Sequence, residues 1–391
     1  MTHQHAGHLL LYEPRVEGHH LGWLRLITED LLSAGWRLTL AMNLRAENTP
    51  QVREHLGEFL SNVTLLNVCD ETGRRHGDGK AGSVAHCLKQ SGADQVFLCS
   101  FDEIASHILR RAAFGILPPV ELRGRIGGIY HRPSFTVASR WSPNRLMKEA
   151  GFRRLLRGGW LSQLAFLDEF LARDCRVKYP NAPVFFIPDP CMDISHDDSA
   201  DARLRLEVPL DRRVFLFYGT GARRKGLHLA VEAFQKLPAD SPAFLLCVGR
   251  QTPDRRTADV LKKLEAQGRA RLINRYVSTA EEQLSFAACD MVLLPYVGHF
   301  GISAVLSQAM AANKPVIASD EQLLGRLVRE HGAGLLFRPG DVMALRQAIQ
   351  NGLTASVDDW SRWRLAARNY AGQHSRTAFR AALLAALQPD R

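Results

Sequence analysis

The stretch YVGHFGISAVLSQAMAANKPVIASD (Tyr296–Asp320) follows the apolar run DMVLLP. Its glycine-containing loop opens a helical pattern, and KPVIAS closes it as a short strand. Strand, glycine turn, helix and strand in that order is the repeat of an open α/β sheet. Such a loop offers a phosphate the unpaired N–H groups and positive dipole end of a helix. Ser303 is placed to cap the helix that carries Val305, Leu306 and Met310. The amides around Gly301, Ile302 and Ser303 are therefore the expected phosphate contacts. No carboxylate precedes Asp320. The same residues also fit a plain strand–helix turn with His299 exposed.

A second stretch repeats the design. In YGTGARRKGLHLAVEAF (218–234) an apolar strand ends in Gly219-Thr220-Gly221, and Arg223, Arg224 and Lys225 precede the next helix. Glycines let the backbone approach a ligand, and the cations suit a diphosphate. A basic, solvated helix start reads the same way. The glycine-to-lysine spacing is not that of a Walker loop. GDGKAGS (77–83) also fails that spacing and is expected to be a surface loop.

Outward from these stretches, apolar runs alternate with amphipathic ones along the whole chain. Strands are predicted at 8–12, 36–42, 62–68, 95–100, 126–131 and 184–188, and again at 214–219, 243–249, 271–277, 290–295, 314–319 and 334–337. Several are apolar throughout, as strands buried on both faces of a parallel sheet are. The Pro-, Asp- and Ser-rich segment 187–213 separates the two sets. The fold predicted is α/β with two Rossmann-like domains: 1–190, a linker at 191–212, and 213–370. A C-terminal helix at 371–391 crosses back to the first domain, at the end of a long helical stretch spanning about 357–387. Ligands of such sheets bind beyond the carboxyl ends of the strands, here in a cleft between the domains.

The 391 residues carry a net charge of +10, which favours anionic partners. The seven scattered cysteines form no Cys-x-x-Cys pair, so neither a zinc site nor a disulfide framework is expected and a reducing compartment fits. No signal peptide and no run of about eighteen apolar residues is visible. A cytoplasmic protein is expected.

Together the two glycine stretches resemble retaining glycosyltransferases of family four (glycosyl transferases group 1), which have the GT-B fold. KGLHLAVEAF, HFGISAVLSQAMAANKPVIASD and GLLFRPGDVMALRQAI match its C-terminal motifs in order across roughly 218–350. EPRVEGHHLGWLRLITEDLLSAGWRLTLAM is similar, more loosely, to its first strand, glycine turn, helix and second strand. The resemblance implies transfer of a sugar from a UDP- or GDP-linked donor to a glycan, lipid-linked or small-molecule acceptor. It implies retention of configuration, no metal and no cofactor. Lys225 matches the lysine that neutralises the donor phosphates. Thr220 stands where an arginine is usual, so Arg223 or Arg224 would substitute. The chain departs from the family at its paired glutamates: one position falls near His299 and Phe300, the other on Gln308, where the glutamate holds the donor ribose. Gln308 can still donate and accept hydrogen bonds. Arg326 replaces a further glutamate.

On the N-terminal side, the resemblance puts Gly18 and His19 beside the donor diphosphate and His131, at a strand end, toward the reacting sugar. Catalysis would rest on His131 and Lys225. Asp102 and Glu103 lie at a strand's carboxyl end, where they meet the acceptor or cap the following helix. Residues 144–171 interleave Arg145, Lys148, Arg153, Arg154 and Arg157 with Phe152, Leu155 and Trp160. That pattern fits peripheral contact with an anionic membrane, and equally a solvated helix over the core. Two other readings stand beside the enzyme. One is an inactive member of the same fold acting as a binding or partner subunit. The other, a nicotinamide-dependent oxidoreductase, lacks its glycine fingerprint after the first strand. No motif supports nucleic-acid binding.

Overall fold

The computed structural model describes residues 7–16, 19–131, 133, 135, 142–191, 199–220, 222–299 and 301–387, without the side chain at position 19. The chain forms two compact units, Met1–Pro188 with Phe379–Arg391, and Asp189–Ala378. The first holds a parallel sheet of β1 (His8–Tyr12), β2 (Arg37–Met42), β3 (Thr64–Asn67), β4 (Gln95–Leu98), β5 (Ile126–Tyr130), β6 (Leu161–Phe166) and β7 (Val184–Phe186). Its order is β3-β2-β1-β4-β5-β6-β7. The second holds β8 (Arg213–Tyr218), β9 (Ala243–Val248), β10 (Ala270–Ile273), β11 (Met291–Leu294), β12 (Val316–Ser319) and β13 (Gly334–Phe337), in the order β10-β9-β8-β11-β12-β13. All of these pairings are parallel.

The strands form where uniformly apolar runs can be covered on both faces. Leu9, Leu10 and Leu11 of β1, and Leu245, Leu246, Cys247 and Val248 of β9, have no exposed surface. Strand order reverses at β1 and β4 in one unit and at β8 and β11 in the other. Each reversal opens a crevice at the carboxyl ends of neighbouring strands. All seven cysteines are buried and free.

One strand was hidden in the sequence. β6 lies inside the basic stretch 144–171, where the helix runs only from Pro143 to Arg157. Gly158 and Gly159 end it, with Gly159 at φ +64°. Gln163 breaks the apolar pattern of β6, yet it is buried and its Nε2 donates to Gln95 Oε1 at 3.0 Å. The apolar side of the helix is core: Phe152, Leu155 and, beyond it, Trp160 are buried, and so is Lys148.

Two further segments differ from expectation. The stretch read as a linker contains a helix, Ser199–Arg205. Its buried Arg203 donates to the carbonyl of Ala288 at 2.9 Å and to Asp290 at 2.8 Å. The long C-terminal helical stretch is two helices, Val357–Gln373 and Arg376–Leu387. At the break the His374 ring stacks on Tyr370 at 3.8 Å, and the His374 carbonyl accepts from the Cys191 amide at 2.6 Å. Phe379 packs edge-on to Trp23 at 5.5 Å within the first unit.

In the first unit the helix Asp102–Ala113 packs closely on Pro143–Arg157 through Gly151. A Cβ on Gly151 would lie 1.8 Å from the Leu109 carbonyl oxygen. Gly151→Ala is therefore expected to lower unfolding free energy by about 1–3 kcal/mol in a denaturant titration. Gly22→Ala, in the helix His19–Ser33 with no atom within 4 Å of the new Cβ, should raise it by about 0.5–1 kcal/mol. Equal stability of the Gly151→Ala protein and the parent would show that the two helices separate without cost.

Candidate functional site

In the second unit the two glycine loops meet where β8 and β11 end side by side. Gly226, at φ +78°, has its Cβ position 1.8 Å from the Pro295 carbonyl oxygen, so only glycine fits. The Val297 amide donates to the Arg224 carbonyl at 2.8 Å. Behind them, Gly249 packs 2.4 Å from the Gly219 carbonyl oxygen by the same measure, and Gln251 Nε2 donates to that oxygen.

This contact gathers Arg224, Lys225, His299 and Ser303. Lys225 Nζ donates to Tyr296 Oη at 2.7 Å and lies 4.1 Å from the ring centre. Tyr296 Oη is 3.1 Å from Ser303 Oγ, which accepts from the Leu306 amide and caps the helix Ala304–Ala311. Burial, and then Arg224, pull the Lys225 ammonium down to about 8. It stays mostly charged at neutral pH and close to losing its proton. Arg224 Nη1 lies 3.1 Å from His299 Nδ1. An arginine can only donate, so Nδ1 accepts and the His299 proton sits on Nε2. Burial, Lys225 and Arg224 push this imidazole down to about 4, so it is neutral. Nε2 is buried and makes no hydrogen bond among the described residues, though the backbone of Ile302 and Gly301 lies close.

The amides of Gly301, Ile302 and Ser303 donate to nothing among the described residues. The Gly298 amide is occupied, donating to both oxygens of Glu321 at 2.9 Å. Three amides with no partner among the described residues, at the start of a helix, and two cations form a set of donors for a multiply charged anion. Arg223 points elsewhere, 3.7 Å from Asp254, and Thr220 is exposed on the β8 loop.

Gln308 belongs to a different cluster. Its Nε2 donates to Glu282 Oε1, Glu282 also bonds Tyr218 at the end of β8, and Gln308 Oε1 is buried without a partner among the described residues. Glu282 is half-buried, and that burial raises its carboxyl. A carboxylate on the helix Thr279–Ala288 thus lies against Gln308 of the helix Ala304–Ala311. Sequence reading missed Glu282 and Tyr296 because both look ordinary in their own segments.

In the first unit, Gly18 and the side chain of His19 lie outside the described residues. The crevice at β1 and β4 holds a charged cluster that the sequence only partly indicated. Glu13, 1% exposed, has Oε2 3.2 Å from His20 Nδ1, and its Oε1 accepts from the Arg15 amide at 3.1 Å. Glu103 accepts from Arg75 at 2.7 Å and pairs with Lys80 at 3.1 Å and Arg15 at 3.6 Å. Burial raises the Glu103 carboxyl, and Arg75 and Lys80 more than reverse this, leaving it below its usual range. GDGKAGS is accordingly not a plain surface loop: the helix Gly79–Ser91 begins there and Lys80 joins the cluster. Asp102 accepts the His131 amide at 2.8 Å, with His131 Nδ1 3.4 Å away, and so ties the ends of β4 and β5. Phe101, not Asp102, occupies the cap position of the helix Asp102–Ala113. No group of three or more His, Cys, Asp or Glu that could hold a metal ion occurs among the described residues.

Residues 198–370 match the family model for glycosyl transferases group 1. The probable glycosyltransferase WbjE of Pseudomonas aeruginosa is 35% identical over 147 residues, 35% of each chain. The lipopolysaccharide core biosynthesis glycosyltransferase LpsE of Rhizobium meliloti is 27% identical over 46% of this chain and 52% of its own. The chain thus spans between about a third and a half of these curated relatives. Among solved structures, Anabaena Alr3699/HepE in complex with UDP superposes with a TM-score of 0.66 at 16% identity, over 97% of this chain and 99% of that one. A glycosyltransferase from Rickettsia africae also gives 0.66, at 13% identity over 97% of both chains. With its two parallel sheets, the chain has the GT-B fold.

Burial pushes the Glu13 carboxyl up to about 7, despite the Arg15 amide and charge. The folded state thus holds a proton that the unfolded chain, titrating near 4.5, gives up. Stability from this group is complete below pH 4.5 and is lost as pH rises through 7. Glu13→Gln should flatten the fall in melting temperature between pH 4.5 and 7 and raise the melting temperature at pH 8. An unchanged profile would show that Glu13 ionises at no cost to the fold.

Proposed function

We propose that this chain, whose residues 198–370 match the family model for glycosyl transferases group 1, is a glycosyltransferase using a nucleoside-diphosphate sugar. The observation that carries this reading is the donor set of Lys225, Arg224 and the amides of Gly301, Ile302 and Ser303, which have no partner among the described residues. A diphosphate leaving group gains negative charge as the sugar bond breaks. Donors already fixed in a partly buried site stabilise that charge without reorganising. Lys225 supplies the nearest cation and Ser303 keeps the helix start in register. The diphosphate departs and the sugar passes with retention to a hydroxyl of a glycan, lipid-linked or small-molecule acceptor. In this reading His131 faces the reacting sugar, and Asp102 and Glu103 are the acceptor-side residues. No metal or cofactor is required by this reading.

The ribose falls to Glu282. Gln308 lies five residues beyond the Ser303 cap, about 7.5 Å along the helix axis at 1.5 Å per residue. That separation suits a ribose whose diphosphate occupies the helix start. Glu282 accepts the vicinal hydroxyls, and Gln308 donates to Glu282 and turns its free Oε1 to the same ligand. The inactive-subunit reading draws on the two family glutamates missing from the sequence, at the positions near His299 and at Gln308.

UDP or GDP should raise the melting temperature, and one donor sugar should be hydrolysed slowly without acceptor. A nucleotide response with no turnover of any donor favours the inactive subunit; absence of any response removes both readings. Lys225→Met should weaken UDP binding by about tenfold or more, equal to the loss of one charged hydrogen bond. The same change should raise the melting temperature of the free protein at pH 7. The folded ammonium loses its proton at about 8, against about 10.4 in an unfolded chain, so its charge opposes folding below that window. Glu282→Gln should weaken UDP binding and leave pyrophosphate binding unchanged.

A further inference from the structure

The loop that follows β11 is held from two sides. The Val297 amide donates to the Arg224 carbonyl at 2.8 Å, in the loop after β8. The next amide, at Gly298, donates to both carboxylate oxygens of Glu321 at 2.9 Å, in the loop after β12. β11 lies between β8 and β12, so the two bonds reach to opposite neighbours. Beyond them come His299, which meets Arg224, and the amides of Gly301, Ile302 and Ser303.

Glu321 occupies the cap position of the helix Gln322–His331, yet its side chain makes no capping hydrogen bond. An acidic group at a helix start ordinarily serves the first amides of its own helix. Here it is turned to a different loop. Its backbone is a firm base for that reach. The Asp320 amide donates to the Phe337 carbonyl at 2.8 Å, the Glu321 amide to the Ser319 carbonyl at 2.8 Å, and the Gly325 amide to the Glu321 carbonyl at 3.0 Å. Arg329 pairs with Asp320. Gln322 follows at φ +48°, a left-handed conformation that a glutamine adopts only where its surroundings impose it. Among the described residues the half-buried Glu321 carboxylate bonds only to Gly298.

We propose that Glu321 is a positioning residue, which holds the loop 297–303 in the conformation that turns its amides to an incoming anion. This rests on the reading above, in which the amides of Gly301, Ile302 and Ser303 hold the donor diphosphate. A loop fixed beforehand has less freedom to lose when the anion arrives. The arrangement also works against itself, because the carboxylate is negative and repels the anion it prepares for. What the loop needs from residue 321 is therefore the acceptor and not the charge.

Three variants of the whole chain separate the tether from the charge. Glu321→Ala removes both, Glu321→Gln removes the charge alone, and Glu330→Ala removes an exposed acid near the other end of the same helix. Binding of UDP and of inorganic pyrophosphate is measured by calorimetry, and amide hydrogen exchange is followed in the free protein. Glu321→Ala should weaken both ligands about tenfold, the loss expected for one hydrogen bond to a charged group. Glu321→Gln should bind both as tightly as the parent or more tightly, and Glu330→Ala should match the parent. Glu321→Ala should also speed exchange at Gly298 and at Val297, whose own bond goes to Arg224, while Glu321→Gln keeps both slow. Leu293 and Leu294 of β11 should exchange at the parent's rate in every variant. The proposal is overturned if Glu321→Gln weakens binding as much as Glu321→Ala, or if Val297 exchanges equally fast in the parent and in Glu321→Ala. Faster exchange in β11 also overturns it, since Glu321 would then support the whole sheet. A parent that does not bind UDP removes the nucleotide-sugar reading, and the pyrophosphate and exchange measurements then decide on Glu321 by themselves.

Discussion

The second unit's site depends on a backbone contact in which there is no room for a side chain. Gly226 lies against the Pro295 carbonyl, and that approach locks the loop after β8 to the loop after β11. Lys225 is thereby aimed at Tyr296, and Arg224 at His299. Any other residue at 226 would pay twice, once for the left-handed backbone and once for the collision. The crevice at a strand-order reversal is a general property of these sheets. What is particular here is how closely the two loops that border it are held.

That closeness sets the electrostatics. Lys225, Arg224 and His299 share a space too small for three positive charges, and the imidazole is the group that stays neutral. The result is a site with two cations and one neutral imidazole. An anion placed there would satisfy amides that have no partner among the described residues. The first unit resolves crowding of the opposite kind. Glu13 has too little solvent to ionise easily, while nearby Glu103 is held ionised by Arg75 and Lys80.

Most of the architecture was legible because both-face burial makes parallel strands uniformly apolar. β6 was not, since Gln163 interrupts its apolar run and satisfies itself only through a partner in β4, far away in sequence. The glycine loops were legible for the same reason that they work: few residues tolerate their geometry. Gln308 looked like a lost carboxylate because sequence shows what stands at a position and not what reaches it from another helix. Glu282 and Tyr218 became visible only when their helix and strand were folded beside it. The charges of Lys80 and Arg75 were hidden similarly, in segments whose local pattern suggested only a loop.

The cysteines described with the fold have a practical consequence. Cys69, Cys87, Cys99 and Cys175 lie in one unit, and Cys191, Cys247 and Cys289 in the other, all buried and unpaired. Burial raises every one of these thiols, so almost none is thiolate at neutral pH. A maleimide therefore finds nothing to react with until a core opens. Each unit carries its own built-in clock. Which cysteines are labelled first reports which of the two cores opens more often.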